Sequence, residues 1–193
     1  MDYYRYTSRY LSETGMIAAA INQHDIVKII GIMHDLKKKN GRLFILGVGG
    51  SAANASHAVN DFRKLAGIEA YAPTDNVSEL TARTNDDGWG GVFKAWLDVS
   101  RLNEDDTLLI LSVGGGSDTT SANIKEAVDF AAAKHAKITG VVSRDGGYAF
   151  KKADACALVP VISQERITPH AEGWQSVVCH LIVNAVAEGD EPA

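Results

Sequence analysis

Several large classes of protein are excluded by what this chain has little of. Four prolines occur among 193 residues, and no linker, internal repeat or low-complexity segment interrupts the pattern. Cysteine is limited to Cys156 and Cys179, both in apolar surroundings and without CxxC spacing. They read as buried thiols in a reducing compartment, with no thiol chemistry expected. Positive charge is not in excess either: 19 basic against 24 acidic side chains give a formal charge of -5, which offers no electrostatic footprint for nucleic acid. No apolar run approaches the roughly 20 residues that span a bilayer. The opening MDYYRYTSRYLSETG lacks the basic and apolar regions of a signal peptide. Cytoplasmic residence, with neither a membrane nor a nucleic-acid partner, is the resulting expectation.

What remains is ordinary for a globular domain, with 46% hydrophobic and 22% charged residues, enough to bury a sizeable core and too apolar for a disordered chain. Residues 1–40 read as two helices with a break near Asn22 to Asp25, ended by Asn40-Gly41. Short apolar runs then alternate with helical segments. Strands are expected at Arg42 to Leu46, Thr107 to Leu111, Lys137 to Val142 and Ala155 to Val159. Helices are expected at Ser51 to Leu65, about Ser121 to His135 and Ala171 to Val186, with a short turn or helix near Tyr148. Between Ile68 and Leu102 the pattern gives a short strand near Glu69 to Tyr71, a loop, and a helix around Val92 to Leu102. This alternation predicts one α/β domain over 1–193, a doubly wound parallel sheet with right-handed crossovers. The first helix carries Tyr3, Tyr4, Tyr6 and Tyr10, which either cover the domain's own sheet or pack against another subunit.

The 18 glycines are more informative than their number suggests, because they gather where strands end. Gly47-Val48-Gly49-Gly50-Ser51-Ala52-Ala53 lies directly between a strand and a helix. In an open parallel sheet ligands bind outside the carboxyl ends of the strands, where helix N-termini present unpaired N–H groups to anions. The loop lacks the third glycine of a dinucleotide fingerprint and the Gly-Lys-Ser/Thr of a nucleotide P-loop, so no nucleotide cofactor is expected. A second loop repeats the arrangement: Ser112-Val-Gly-Gly-Gly-Ser117-Asp-Thr-Thr-Ser121. Hydroxyls and backbone amides of this kind suit a phosphate monoester. Gly49, Gly50, Ser51, Ser112, Ser117, Thr120 and Ser121 are the candidate phosphate contacts. Plain turn chemistry, with Gly at φ > 0 and Ser or Thr as N-caps, explains either loop alone but explains two equivalent loops less well.

The order and spacing of Gly47-Val-Gly-Gly-Ser-Ala-Ala-Asn-Ala-Ser-His57, Asn85-Asp86, Ser121-Ala-Asn-Ile-Lys-Glu-Ala127, Ser143-Arg-Asp-Gly-Gly147 and Ala153-Asp-Ala-Cys-Ala-Leu-Val-Pro160 resemble the sugar-isomerase (SIS) domain family and, within it, the phosphoheptose isomerases. The likeness runs over nearly the whole chain. It implies a flavodoxin-like five-stranded parallel sheet, a homotetramer with active sites between subunits, and conversion of sedoheptulose 7-phosphate to a heptose 7-phosphate. A non-catalytic phosphosugar-binding or protein-bridging member of the same family is the alternative.

His57 and Asp61 are four residues apart and share one helix face. Glu172 and His180 lie on the closing helix, where eight residues turn about 80° beyond two full rotations, so that both are expected to reach one pocket. The resemblance implies that His57, Asp61, Glu172 and His180 form the catalytic centre and hold zinc or a similar divalent ion. Asp61 stands where the family has Glu, and Glu172 where it has Gln. Asp61 is the expected base and His180 its acid/base partner, with Asn85, Asp86 and Glu172 contacting substrate. His170 competes with Glu172 for its place. Val48 replaces a usual Asn, and the second glycine loop is three residues longer than the family's. Arg63, Lys64 and Arg83 are candidate distal charges that more often stay solvated, and His24, His34 and His135 read as surface residues.

Overall fold

The computed structural model describes residues 2–189. Two helices open the chain, α1 (Tyr3–Ala20) and α2 (Gln23–Lys39), capped at their starts by the side chains of Asp2 and Asn22. The second stops at Asn40, which takes the left-handed conformation common at helix C-termini. The β/α alternation follows: β1 (Arg42–Leu46), α3 (Gly50–Lys64), β2 (Glu69–Tyr71), α4 (Val77–Asp87), α5 (Val92–Val99), β3 (Thr107–Ser112), α6 (Ala122–Ala133), β4 (Lys137–Val142), α7 (Gly147–Lys152), β5 (Ala155–Leu158) and α8 (Ile167–Glu188).

All strand pairs are parallel, in the order β2-β1-β3-β4-β5. This is the flavodoxin-like order, whose reversal at β1 and β3 marks where ligands bind. Each residue of central β3 is buried, as a strand covered on both faces requires. One face of the sheet packs on α2, α3 and α8 through residues such as Ile29, Met33, Phe62 and Ile182, the other on α5 and α6 through Phe44, Phe93, Leu97 and Val128. Each fully buried aromatic or aliphatic side chain contributes about 1.5–3 kcal/mol relative to exposure.

The two ends of the sheet differ. At the amino ends Arg42 donates from Nη2 to Asp106 Oδ2 at 2.7 Å, and Lys137 Nζ pairs with Asp154 Oδ1 at 2.6 Å. At the carboxyl ends the strands open into the glycine loops. Among the described residues no single helix is long and apolar enough to cross a membrane.

Two expectations need correction. The loop expected between the second strand and the helix near Val92 contains α4, preceded by a short turn at Pro73–Asp75. None of its residues is buried, and its composition is polar, with Val77, Leu80 and Ala82 as its apolar side chains. Its start is marked instead by Asn76, whose side chain accepts from the Glu79 N–H. The closing helix begins at Ile167, four residues before the expected Ala171. Pro169 falls in its first turn, where a missing N–H has no intrahelical acceptor to leave unpaired.

Candidate functional site

The cleft at the carboxyl ends of the strands is built backbone on backbone. Tyr148 and Ala149 donate their N–H groups to the Gly116 and Gly115 carbonyls at 3.0 and 2.9 Å, and the Ser143 N–H reaches Val113 O at 3.1 Å. The loop after β4 thus lies against the loop after β3. A β-carbon at Gly115 would overlap the Gly146 carbonyl oxygen, and one at Gly147 would overlap that of Gly114. These glycines hold the two loops in contact.

Between the loops and the starts of α3 and α8 lies a cleft of roughly 330 Å³. Ser51, Ser112, Ser117, Thr120 and Ser121 line it, five of the residues expected to contact phosphate. Their hydroxyls are not equally free. Ser117 Oγ accepts from the Thr120 N–H at 2.9 Å and the Thr119 N–H at 3.3 Å, and so closes its own turn. Ser112 Oγ accepts from the Gly115 N–H at 3.0 Å, which leaves its O–H able to donate. Ser121 is the N-cap of α6, yet its side chain makes no cap hydrogen bond. Val48, which stands where the resemblance expects Asn, is also on the wall.

Gly49 and Gly50 stand beside the cleft and are not among the residues lining it. Gly49 (φ 64°) turns the chain into α3, and a β-carbon at Gly50 would run into the Glu172 carboxylate. Asn85 and Asp86 are exposed near the end of α4, where Asn85 Nδ2 donates to Asp86 Oδ1 at 2.9 Å. They do not line the cleft of this single chain. Sequence reasoning assigned no role to Arg144, Asp145 and Thr168, which do line it. The first two fall inside the quoted Ser143 to Gly147 stretch, which was the available signal.

A second cluster forms where α3 and α8 run side by side. His57 Nε2 and His180 Nε2 are 3.0 Å apart, and each lies 3.2 Å from Asp61 Oδ2. Asp61 is buried, and its other oxygen accepts from Asn60 Nδ2 at 3.0 Å. The two imidazoles are about half exposed. Three atoms rich in lone pairs cannot all be satisfied by one another's protons, so the arrangement is suited to a shared cation. A tetrahedral ion with bonds of about 2.0–2.2 Å holds its ligand atoms roughly 3.3–3.6 Å apart, a little wider than the separations found. His57, Asp61 and His180 form a group that could hold a metal ion.

Glu172, expected in the same donor set, is elsewhere. Eight helical residues advance about 12 Å, which puts it at the start of α8 against Gly50. Rotation about the helix axis brings Glu172 and His180 toward one face, but rise separates them. His170 does not replace it: its Nε2 lies 3.0 Å from Glu13 Oε2, buried beside the paired guanidinium of Arg166. Arg63 donates to the Ala70 carbonyl and Arg83 pairs with Glu79. His24 and His135 are exposed, whereas His34 is half-buried with its Nε2 enclosed. Both cysteines are free and buried, and burial raises each thiol to about 12.

The sequence model of the SIS domain family matches residues 2–143. A phosphoheptose isomerase of Rhodospirillum rubrum is 28% identical over 168 residues, 84% of this chain and 85% of the relative. Another, of Geobacter sulfurreducens, is 31% identical over 146 residues, 73% of this chain and 75% of the relative. The solved structure of phosphoheptose isomerase GmhA from Neisseria gonorrhoeae superposes with a TM-score of 0.82 at 25% identity, covering 97% of this chain and all of that one (100%).

Proposed function

The chain belongs to the SIS domain family, and from that premise we propose that it is an aldose–ketose isomerase acting on a phosphosugar, sedoheptulose 7-phosphate or a close relative. The observation that carries this reading is the placement of the His57, Asp61 and His180 cluster on the same two helices whose starts border the hydroxyl-lined cleft. Six residues separate Ser51 from His57, a rise of about 9 Å. That is about the span of an extended heptose chain, and on this reading a substrate held by its phosphate in the cleft extends along α3 to bring its carbonyl end to the cluster.

Isomerisation of the ketose requires removal of a proton from C1, passage through an enediol, return of a proton to C2, and transfer of a hydroxyl proton from O1 to O2. Imidazoles suit both transfers near neutral pH. His180 and His57 are the exposed members and meet the substrate. Asp61, buried beneath them, orients both rings and balances the charge when one is protonated. The base role expected of Asp61 thus passes in part to the imidazoles it holds. Where zinc or a similar ion is held by these same Nε2 and Oδ2 atoms of His57, Asp61 and His180, they would act as ligands and not as proton carriers, and the ion would supply polarisation of the carbonyl and stabilisation of the enediolate.

Assembly as a homotetramer, with the site at a subunit interface, belongs to the same proposal. Val177, His180 and Leu181 share an exposed face of α8. Val177 and Leu181 border an apolar groove with Val27 and Ile30 of α2. Tyr3, Tyr4, Leu11 and Met16 of α1 are exposed as well, so a second copy seated on this face would cover both the apolar surface and the cluster. Two free buried cysteines accord with a cytoplasmic setting.

The test is proton exchange at C1 of sedoheptulose 7-phosphate in D₂O, with deuterium entering C2 of the aldose product, followed by NMR on purified protein with metal supplied or chelated. Exchange and conversion to an aldose phosphate are expected. If neither this ketose nor a panel of five- to eight-carbon ketose phosphates exchanges with metal supplied, the isomerase reading is rejected. A light-scattering mass equal to one subunit would reject the assembly.

A further inference from the structure

Among the described residues, five other than glycine adopt the left-handed conformation: Asn40, Arg101, Ser121, His135 and Arg144. Three are accounted for by helix ends. Asn40 is the C-cap of α2, and Arg101 and His135 directly follow the C-caps of α5 and α6, Ser100 and Lys134. A left-handed residue there closes the last turn. Ser121 and Arg144 are different. Ser121 begins a helix, Arg144 (φ 56°) follows β4 by two residues, and both line the same cleft.

An arginine gains little locally from this conformation, because it lacks the short polar side chain with which Asn or Asp stabilises it. Non-glycine residues held this way gather at ligand-binding sites, where the surroundings fix a geometry the residue alone does not prefer. Here the surroundings are identifiable: the Ser143 N–H is held by Val113 O, and the Gly146 N–H by Ser143 O at 2.9 Å. The guanidinium so placed is exposed, and it makes no hydrogen bond or ion pair among the described residues. Among the described residues it is also the one cation lining the cleft. The facing carboxylate, Asp145, accepts from the Gly147 N–H at 3.2 Å.

We propose that Arg144 is the specificity-determining residue of the cleft: its guanidinium pairs with the substrate's phosphate dianion, and the left-handed turn aims it there. The hydroxyls of Ser51, Ser112 and Ser121 recognise the oxygens of the group, whereas Arg144 recognises its charge and its planar pair of acceptors. The inference rests on the phosphosugar reading above.

The test is titration calorimetry on the full-length protein with inorganic phosphate and with sedoheptulose 7-phosphate, paired with thermal unfolding. Arg144→Gly, which accepts the left-handed turn freely, is expected to raise the melting temperature while weakening both ligands by about tenfold or more, the scale of a lost charge-assisted hydrogen bond. Arg144→Asn tolerates the same backbone and is expected to weaken binding equally. Arg144→Lys, with charge but without the planar fork, is expected to fall between. Wild-type affinity in the glycine and asparagine variants overturns the role of Arg144 and leaves the isomerase reading standing. Wild-type protein that binds neither ligand overturns the phosphate site of the cleft, and with it both the role of Arg144 and sedoheptulose 7-phosphate as the substrate.

Discussion

The glycine-loop cleft and the α3/α8 donor cluster are neighbours built in opposite ways. In the cleft the backbone does the shaping: the loops after β3 and β4 touch through carbonyls and N–H groups, and at Gly115 and Gly147 a single methyl group would enter the opposing loop. In the cluster the shaping is done by helix register. His57 and Asp61 are four residues apart on α3 and His180 meets them from α8, while the backbone behind them is ordinary helix. The first construction therefore fails when backbone space is taken away. The second fails only when one of three side-chain groups is changed.

The sharpest way to break the comparison is at the loop contact. Gly147→Ala adds a methyl group at φ 55° where the Gly114 carbonyl already lies, so the loops must separate. The expected cost is about 3 kcal/mol, read as a fall of roughly 10 °C in melting temperature, with phosphate binding lost. Gly114→Ala is the control for the loop contact, because nothing lies within 4 Å of its added β-carbon, and it is expected to fold and melt nearly as the native chain does, although Gly114 also lines the cleft. Equal damage from both would mean that the loops are not held by this contact.

Asp61→Asn tests the other construction. The side chain keeps its shape and its neighbours on α3, so folding and phosphate affinity are expected to stay near native. The proton-exchange rate is expected to fall by about 10²–10⁴, the usual scale of an acid–base contribution. Calorimetry with phosphate beside exchange kinetics separates the two effects. If affinity fell as far as turnover, cleft and cluster would be one unit.

How much of this was legible in the sequence follows the same division. Buried strands are recorded in composition: Arg42 to Leu46 and Thr107 to Ser112 read as strands because burial on both faces requires continuous apolar runs. The glycine loops were legible as an anion site because strand, glycines and hydroxyls are contiguous. What was hidden depends on relations across the chain. Ser117 sits in the expected place but uses its hydroxyl to close its own turn, a choice no spacing reveals. Glu172 obeys the angular arithmetic of its helix, yet stands two turns from His180, because rotation was counted and rise was not. Arg144 was passed over because a left-handed arginine is set by its surrounding hydrogen bonds and not by its own preference. α4 was missed because its sequence is polar, with Val77, Leu80 and Ala82 as its apolar side chains and none of them buried, too few to stand out from a loop.

The smallest effect at the site itself is expected from the element that both regions share. Near its start α8 places Thr168 on the cleft wall, and further on it carries His180 in the cluster, and its start is tied to α1 by Glu13. That carboxylate accepts from Arg166 Nε and Nη2, both at 2.8 Å, and lies 3.0 Å from His170 Nε2. The Arg166 hydrogen bonds, followed by that of His170, hold the Glu13 carboxyl at about 2, below its ordinary 4.5. A group whose folded value is depressed contributes its stabilisation fully above the unfolded value and loses it as pH falls through the folded one. The native melting temperature should therefore decline from about pH 4.5 down to about pH 2, and Glu13→Gln should lack that part of the decline, the two proteins converging at the acid end. At neutral pH the variant should be less stable, since Arg166 loses its buried partner. Its exchange rate and phosphate affinity should each change only a few-fold, and in the same direction. A shift confined to one of them would show that the start of α8 serves that region alone.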